Sequence, residues 1–355
     1  MSVVIDTALS KRITSLRSIL TILIVFYHNN SIGKAIDSGI NLPAYTIYFR
    51  DFMFGICSCV NALFFLISSY LLYTGDTGKR TYLKFIKSKF KSLILPYLLW
   101  TILVIVFYYL AQSVKMLQPF FTTNIVRQFT VSDWIHAFIG NYAESNNNLH
   151  APLIGQFWFL RDLIIFNLFY LFFKKIIDKF PVSIFFILCA IYVSDPNMYI
   201  INARALALFC FGYYIVKYIR DMESIEIKLY DIIFLYLILL ILNTSKILTI
   251  PLASSFIVVV GVIFFFCISY YIIKCEKLFI ILKRLSTYTF YIYATHGIVE
   301  EVLIRLTMMI MPANGIIYII QYFILNTVTI LIIMTFCILL KKVCPKLCKV
   351  LNGGR

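Results

Sequence analysis

Charge is scarce in this chain, and acid is scarcest. Only 14% of its 355 residues are charged, and 16 Asp and Glu stand against 32 Lys and Arg. Soluble domains carry about 25% charged and about 45–50% apolar residues. Here 61% are hydrophobic and 17% aromatic, with a mean hydropathy of +0.90. A soluble globule of this size cannot hide that much apolar surface, which excludes a soluble enzyme, a disordered chain and a fibrous protein. Glycine is sparse as well. The 13 glycines form no phosphate-cradling loop, so a nucleotide-binding fold is not supported. Internal repeats are absent, and so is the period-2 alternation of a membrane β-barrel. Among the nine cysteines, Cys57/Cys59 and Cys344/Cys348 lack His or Cys partners at zinc-like spacing. Neither a structural metal nor a disulfide framework is expected.

What the chain does have is long apolar runs. A helix needs roughly 20 residues to cross a bilayer. Ten candidate spans can be read, at about 13–29, 52–74, 92–111, 157–173, 181–194, 200–218, 229–243, 248–273, 286–311 and 316–340, of which the fifth and seventh are short. The expected class is an all-α polytopic membrane protein, a single domain over 1–355 with its helical core at about 12–340 and a basic tail at 341–355. With the N-terminus inside, 24 of the 32 basic residues fall in cytoplasmic segments. The other eight are Lys34, Arg50, Lys115, Arg127, Arg161, Arg204, Lys246 and Arg305. That imbalance favours both termini in the cytoplasm and removes the need for nucleic acid to explain a net charge of +16. The first apolar run has a basic flank but no small-x-small cleavage site, and reads as a retained first helix. The long outer segment, about 112–156, contains a short amphipathic stretch around Trp134 that Ser132 is expected to cap, then a polar run at 144–148.

Polar groups inside spans are costly and mark the places to look for chemistry. Arg17 and His28 lie eleven residues apart in the first span. Eleven steps of about 100° return within roughly 20° of three full turns, so both share one face, about 16 Å apart along the axis. An anchoring Arg and an interfacial His would be the plain alternative. Lys84, Lys87, Lys89 and Lys91 lead into Pro96-Tyr97, suited to topology and anionic lipid or to a phosphorylated cytosolic ligand. Arg161 and Asp162 sit just inside the fourth span, after Trp158; as neighbours they face different ways, which predicts partners on other helices. In the ninth span His296 and Glu300, and Glu301 and Arg305, are spaced i,i+4. Helix–helix glue is the plain reading of that stripe.

These motifs, in this order, resemble those of the membrane acyltransferase-3 family. The resemblance rests on Arg17-x10-His28, Phe64-Phe65-Leu66-Ile67-Ser68-Ser69-Tyr70-Leu71-Leu72, the basic run from Lys84 to Lys91 with Pro96-Tyr97, Trp158-Phe159-Leu160-Arg161, and Ile292-Tyr293-Ala294-Thr295-His296. It covers about residues 12–300. The pattern departs at Ser69, where glycine is usual, at Lys87 and Lys89, where arginines are usual, and at Tyr291, where a small residue is usual. Lysine keeps the charge but not the bidentate geometry.

The resemblance implies a multi-pass enzyme of the bacterial inner membrane. It would move an acyl group, commonly acetyl, from cytosolic acyl-CoA to a hydroxyl of an envelope sugar such as O-antigen or capsule. Acyl-CoA would be a substrate, and no cofactor would be permanently bound. Lys87, Lys89, Lys91 and Arg17 would meet the donor. His28 would be the general base, with an acyl-histidine as the variant mechanism and His296 as the competing base. Glu300 or Glu301 would orient a His or balance Arg charge. Trp158, Arg161, His150 and Glu300 would line the acceptor mouth. Expected partners are the bilayer, acyl-CoA and the sugar acceptor; a homodimer is left open. Other classes are a transporter of lipid-linked glycans, for which no inverted repeat is visible, and a glycan polymerase, which the 112–156 segment does not exclude.

Overall fold

The computed structural model describes residues 7–76, 81–118, 121, 125–140, 152–198, 200–219, 229–248, 250–310 and 312–354. His150 and the polar run at 144–148 lie outside them. Every regular element among the described residues is a helix. In chain order these are α1 (Thr7–His28), α2 (Ser31–Asp37), α3 (Ala44–Cys57), α4 (Val60–Thr74), α5 (Tyr82–Lys89), a π-helical turn (Phe90–Ile94) and α6 (Leu95–Ala111). A 3-10 turn (Val126–Gln128), α7 (Val131–Ile139), α8 (Phe157–Leu168), α9 (Tyr170–Lys179), α10 (Pro181–Ser194) and α11 (Ala203–Tyr214) follow. A second π-turn (Ile215–Ile219), α12 (Leu229–Thr244), α13 (Pro251–Lys274), α14 (Glu276–Leu285), α15 (Thr289–Met308), α16 (Gly315–Val343) and α17 (Pro345–Leu351) complete the chain.

Four helical stretches among the described residues are long and apolar enough to cross a membrane: Ala44–Thr74, Tyr82–Ala111, Leu252–Lys274 and Gly315–Val343. Shorter apolar helices are Pro181–Ser194 and Leu229–Thr244, at the two runs that were short in the sequence. The run expected at 157–173 is divided, because α8 stops at Leu168 and α9 starts at Tyr170.

The centre of the bundle is α1, which packs against α3, α4, α13, α14, α15 and α16. Ser15, Leu16, Ser18 and Leu20 are wholly buried on it. Small residues on one face let neighbouring backbones approach and supply hydroxyls to bond them: Ser18 donates to the carbonyl of Leu282, at 2.7 Å. Arg12, one of the residues assigned to topology, is also structural. Its guanidinium lies 4.0 Å from the centre of the Phe266 ring and donates to the carbonyl of Phe266 and to Ser269 Oγ.

Close approach also decides how α4 meets α11. A Cβ on Gly212 would fall 2.5 Å from the Ser69 side chain, so only glycine fits there. Ser69, the departure from the family pattern, is accommodated because its hydroxyl donates to the carbonyl of Phe209 across the same contact.

Two local expectations need correction. The amphipathic helix at 131–139 is capped by Thr130, not Ser132. Thr130 and Asp133 form a reciprocal capping box, in which the Asp133 side chain accepts from the Thr130 N–H at 2.7 Å. Arg161 and Asp162 do pair directly, because the long Arg side chain bends back. Its Nε and Nη2 donate to Asp162 Oδ1 at 2.9 and 2.8 Å.

Candidate active site

A cavity of about 110 Å³ lies inside the bundle. Its wall combines Arg17, Thr21 and Ile24 of α1, Phe64 and Ser68 of α4, Leu93 of the π-turn, Phe159, Leu160 and Leu163 of α8, and Thr289, Phe290 and Tyr293 of α15. Positions 17, 21 and 24 are one helical face, and His28 is the next position along it. The face shared by Arg17 and His28 thus carries the cavity wall from Arg17 to Ile24, while His28, one turn further on, does not line it.

The basic segment leads to the same place. Lys87 and Lys91 are exposed, Lys89 is half-buried with its ammonium 5.3 Å from the centre of the Phe85 ring, and Leu93 on the following turn lines the cavity.

At the other end of the α1 face, His28 is exposed on the last residue of the helix. Its ring centre lies 5.1 Å from that of His296 on α15. His296 is fully buried, and its Nδ1 lies 2.9 Å from the carbonyl of Ile292. A carbonyl only accepts, so Nδ1 carries the hydrogen and Nε2 presents a lone pair. Nε2 is buried with no hydrogen-bond partner. The two histidines that the sequence set against each other as rival bases are neighbours.

The acidic residues one turn further along α15 separate into two roles. Glu301 bridges Lys34 and Arg305, the latter at 2.6 Å, so the i,i+4 pair forms and α2 is tied to α15. Glu300 is 2% exposed and neither carboxyl oxygen has a hydrogen-bond partner. The expected His296–Glu300 contact is not made. On the facing helix α16, Gln321 Oε1, Asn326 Nδ2 and Thr329 Oγ1 are likewise buried without partners. With His296 Nε2 and the two Glu300 oxygens, this leaves a predominantly hydrogen-accepting set of groups between α15 and α16.

Of the residues expected from the sequence, Arg17 lines the cavity; His28, His296, Glu300, Lys87, Lys89, Lys91, Trp158 and Arg161 are not among its lining residues. Trp158 is half-buried and packs 6.1 Å from Phe65, on the α4–α8–α11 core. Arg161, 6% exposed, donates to Asp162 and to the carbonyl of Ile139, the latter at 2.8 Å. The other Asp162 oxygen accepts from the backbone N–H of Asn202. This pair thus ties α7, α8 and the start of α11 together. His150 lies outside the described residues.

Sequence reasoning missed Thr21, Ser68, Phe159, Leu160, Thr289 and Tyr293 as lining residues. The signal was present: most of them fall inside the motif segments or on the Arg17–His28 face. Gln156 was also missed. Its side chain donates to the carbonyls of Tyr293 and Ala294, both at 3.3 Å, while the Tyr293 hydroxyl donates to its carbonyl at 2.6 Å. That reciprocal tie sets the height of α8 against α15, and so the shape of the cavity between them.

Fold and site together define a helical membrane protein with a partly polar cavity on one face of α1 and, one turn beyond its last α1 lining residue, Ile24, a histidine pair. The acyltransferase-3 family model, an acyltransferase domain, matches residues 10–341, nearly the whole chain. The chain belongs to that family and is a membrane acyltransferase. Neither a curated protein nor a solved structure matches it.

Proposed function

We propose that the protein moves an acyl group, most readily acetyl, from cytosolic acyl-CoA to a hydroxyl of an extracytoplasmic sugar, such as a unit of O-antigen or capsule. The carrying observation is the α1 face, where Arg17, Thr21 and Ile24 line the cavity and the next turn presents His28 beside His296. In this reading the chain crosses the bacterial inner membrane about ten times with both termini inside, which the 24-to-8 division of basic residues supports. The CoA phosphates meet Lys87, Lys89 and Lys91. Arg17 holds the pantetheine arm or a phosphate, and the arm runs about 16 Å along α1.

The acceptor oxygen attacks the thioester carbonyl while His28 takes its proton. The tetrahedral intermediate then expels the CoA thiolate by breaking the C–S bond, and the proton passes from His28 to sulfur. The products are a sugar ester and CoA thiol, with no net proton change. His296, with its lone pair on Nε2, is the second base within reach. His296 Nε2 and the two Glu300 oxygens, buried with no hydrogen-bond partner, suit a ligand rich in hydroxyls. Arg161 and Trp158 shape the acceptor side through the elements they hold.

Structural analysis of envelope glycan from cells with and without the protein tests this directly. Loss of acyl groups from an otherwise exported glycan is expected. Loss of the glycan itself would favour a transporter or polymerase and sink the enzyme reading. A donor-side test follows from the basic segment. Changing Lys87, Lys89 and Lys91 together to Gln should raise KM for acetyl-CoA about three- to tenfold, since exposed charge pairs contribute modestly. Added salt should narrow the difference between variant and parent by screening. An unchanged KM at low salt would place the donor phosphates elsewhere.

A further inference from the structure

The last turn of α1, which carries His28, is gripped on both sides by one face of α16. Before His28, the Tyr322 hydroxyl donates to the carbonyl of Phe26 at 2.5 Å. The Tyr322 ring also meets that of Phe26 edge-on, with centres 5.6 Å apart. After His28, the Asn29 side-chain amide donates to Asn326 Oδ1 at 2.8 Å and to the carbonyl of Tyr322 at 3.3 Å. Tyr322 and Asn326 are spaced i,i+4, one above the other on the same helix face. Asn29, Tyr322 and Asn326 are 5%, 3% and 0% exposed, so water does not compete for these bonds.

The orientation of the two amides is determined by their partners. Asn29 Oδ1 accepts from the backbone N–H of Ser31 at 3.1 Å, the first residue of α2. A flipped Asn29 would turn a donor onto that N–H. Its Nδ2 must therefore face α16, and Asn326 must present its oxygen. One residue, Asn29, thereby fastens the end of α1, the start of α2 and α16.

We propose that Tyr322 and Asn326 are positioning residues that set the place of His28 against His296. They touch neither reactant. They act by holding Phe26 and Asn29, the residues that flank the base. The physical need is plain. His28 is the terminal residue of its helix, where backbone carbonyls lack the next turn's N–H groups and ends fray. A base there reaches a fixed oxygen reproducibly only if something outside the helix holds that turn. A displacement of about 1 Å at such a group costs on the order of 100-fold in rate.

This inference rests on His28 acting as the base, and the experiment separates the two. Asn29→Ala, Asn326→Ala and the double variant would be assayed as full-length protein with acetyl-CoA as donor and envelope glycan as acceptor. Each single change is expected to lower kcat about tenfold or more with KM for acetyl-CoA nearly unchanged, and the double to be no worse than Asn29→Ala, because the bond that Asn326→Ala removes is one of those that Asn29→Ala already removes. Tyr322→Phe keeps the ring packing and is expected to lower kcat in the same way; it decides the matter if the Asn326 variant does not fold. Carbethoxylation of His28 by diethyl pyrocarbonate, followed by peptide mass spectrometry, reads the clamp without catalysis. The reaction should be faster in each variant. Parental kcat and parental His28 reactivity in Asn326→Ala and Tyr322→Phe, with His28→Ala inactive, would overturn the clamp alone. Additive losses at Asn29 and Asn326 would overturn it too. Full acylation by His28→Ala together with faster carbethoxylation in the variants would instead keep the clamp and remove the base.

Discussion

His28→Ala is expected to lower acyl transfer by about 100-fold or more, while the protein still accumulates in the membrane. A positioned general base is worth roughly 100- to 10,000-fold. The lower end is expected here because His296 lies 5.1 Å away and can take part of the role. For the same reason the single His296→Ala change should cost less, and the double change should remove what activity the first left. His28 is an exposed residue at a helix end, so its loss should cost little stability. Mass spectrometry of the acyl groups on surface glycan, normalised to protein level, gives the measurement. Normal acylation with intact protein would reject the assignment. Equal residual activity in His28→Ala and the double variant would show that His296 supplies no second base.

The second large effect is on stability. Arg161→Leu takes from Asp162, which has no exposed surface, the cation it is paired with. Removing one member of a buried ion pair costs about 3–5 kcal/mol, because the other charge stays in a medium that cannot solvate it. The change also releases the carbonyl of Ile139, and with it the C-terminal end of α7. A marked fall in the melting temperature of detergent-solubilised protein is expected. Arg161→Leu with Asp162→Leu should recover part of it, since the paired replacement removes the uncompensated charge. Unchanged melting in Arg161→Leu, with only acceptor binding weakened, would return Arg161 to a direct contact with the acceptor.

The Arg161 case shows where reading along the chain stops. Adjacent residues on a helix point about 100° apart, so Arg161 and Asp162 look unpaired on a wheel. The guanidinium stem is long enough to fold back, and only the burial of both groups makes that geometry worthwhile. The Thr130 cap was missed for a smaller reason. Thr130 and Ser132 both stand at the head of the amphipathic stretch, and the choice between them depends on Asp133 returning a bond to the Thr130 N–H, as it does. Helix limits shifted in the same manner at Phe169, where an apolar run that reads as one span is two helices.

Composition determined that this is a helical membrane protein, since no soluble globule can bury so many apolar residues. Periodicity determined that Arg17 and His28 share a face, because that follows from 3.6 residues per turn and needs no partner helix. The motif order was enough to point to the family. Tertiary structure alone decided that His28 and His296, 268 positions apart in the chain, lie side by side with ring centres 5.1 Å apart. It also decided that Glu301 is neutralised by Lys34 and Arg305 while Glu300 is left bare, and that Tyr322 and Asn326 hold the turn that bears His28. The physical reason is common to all three. A helical period states which way a side chain points, but the partner it meets is chosen by the packing of α1, α15 and α16, and that packing is set by contacts between residues far apart in the chain.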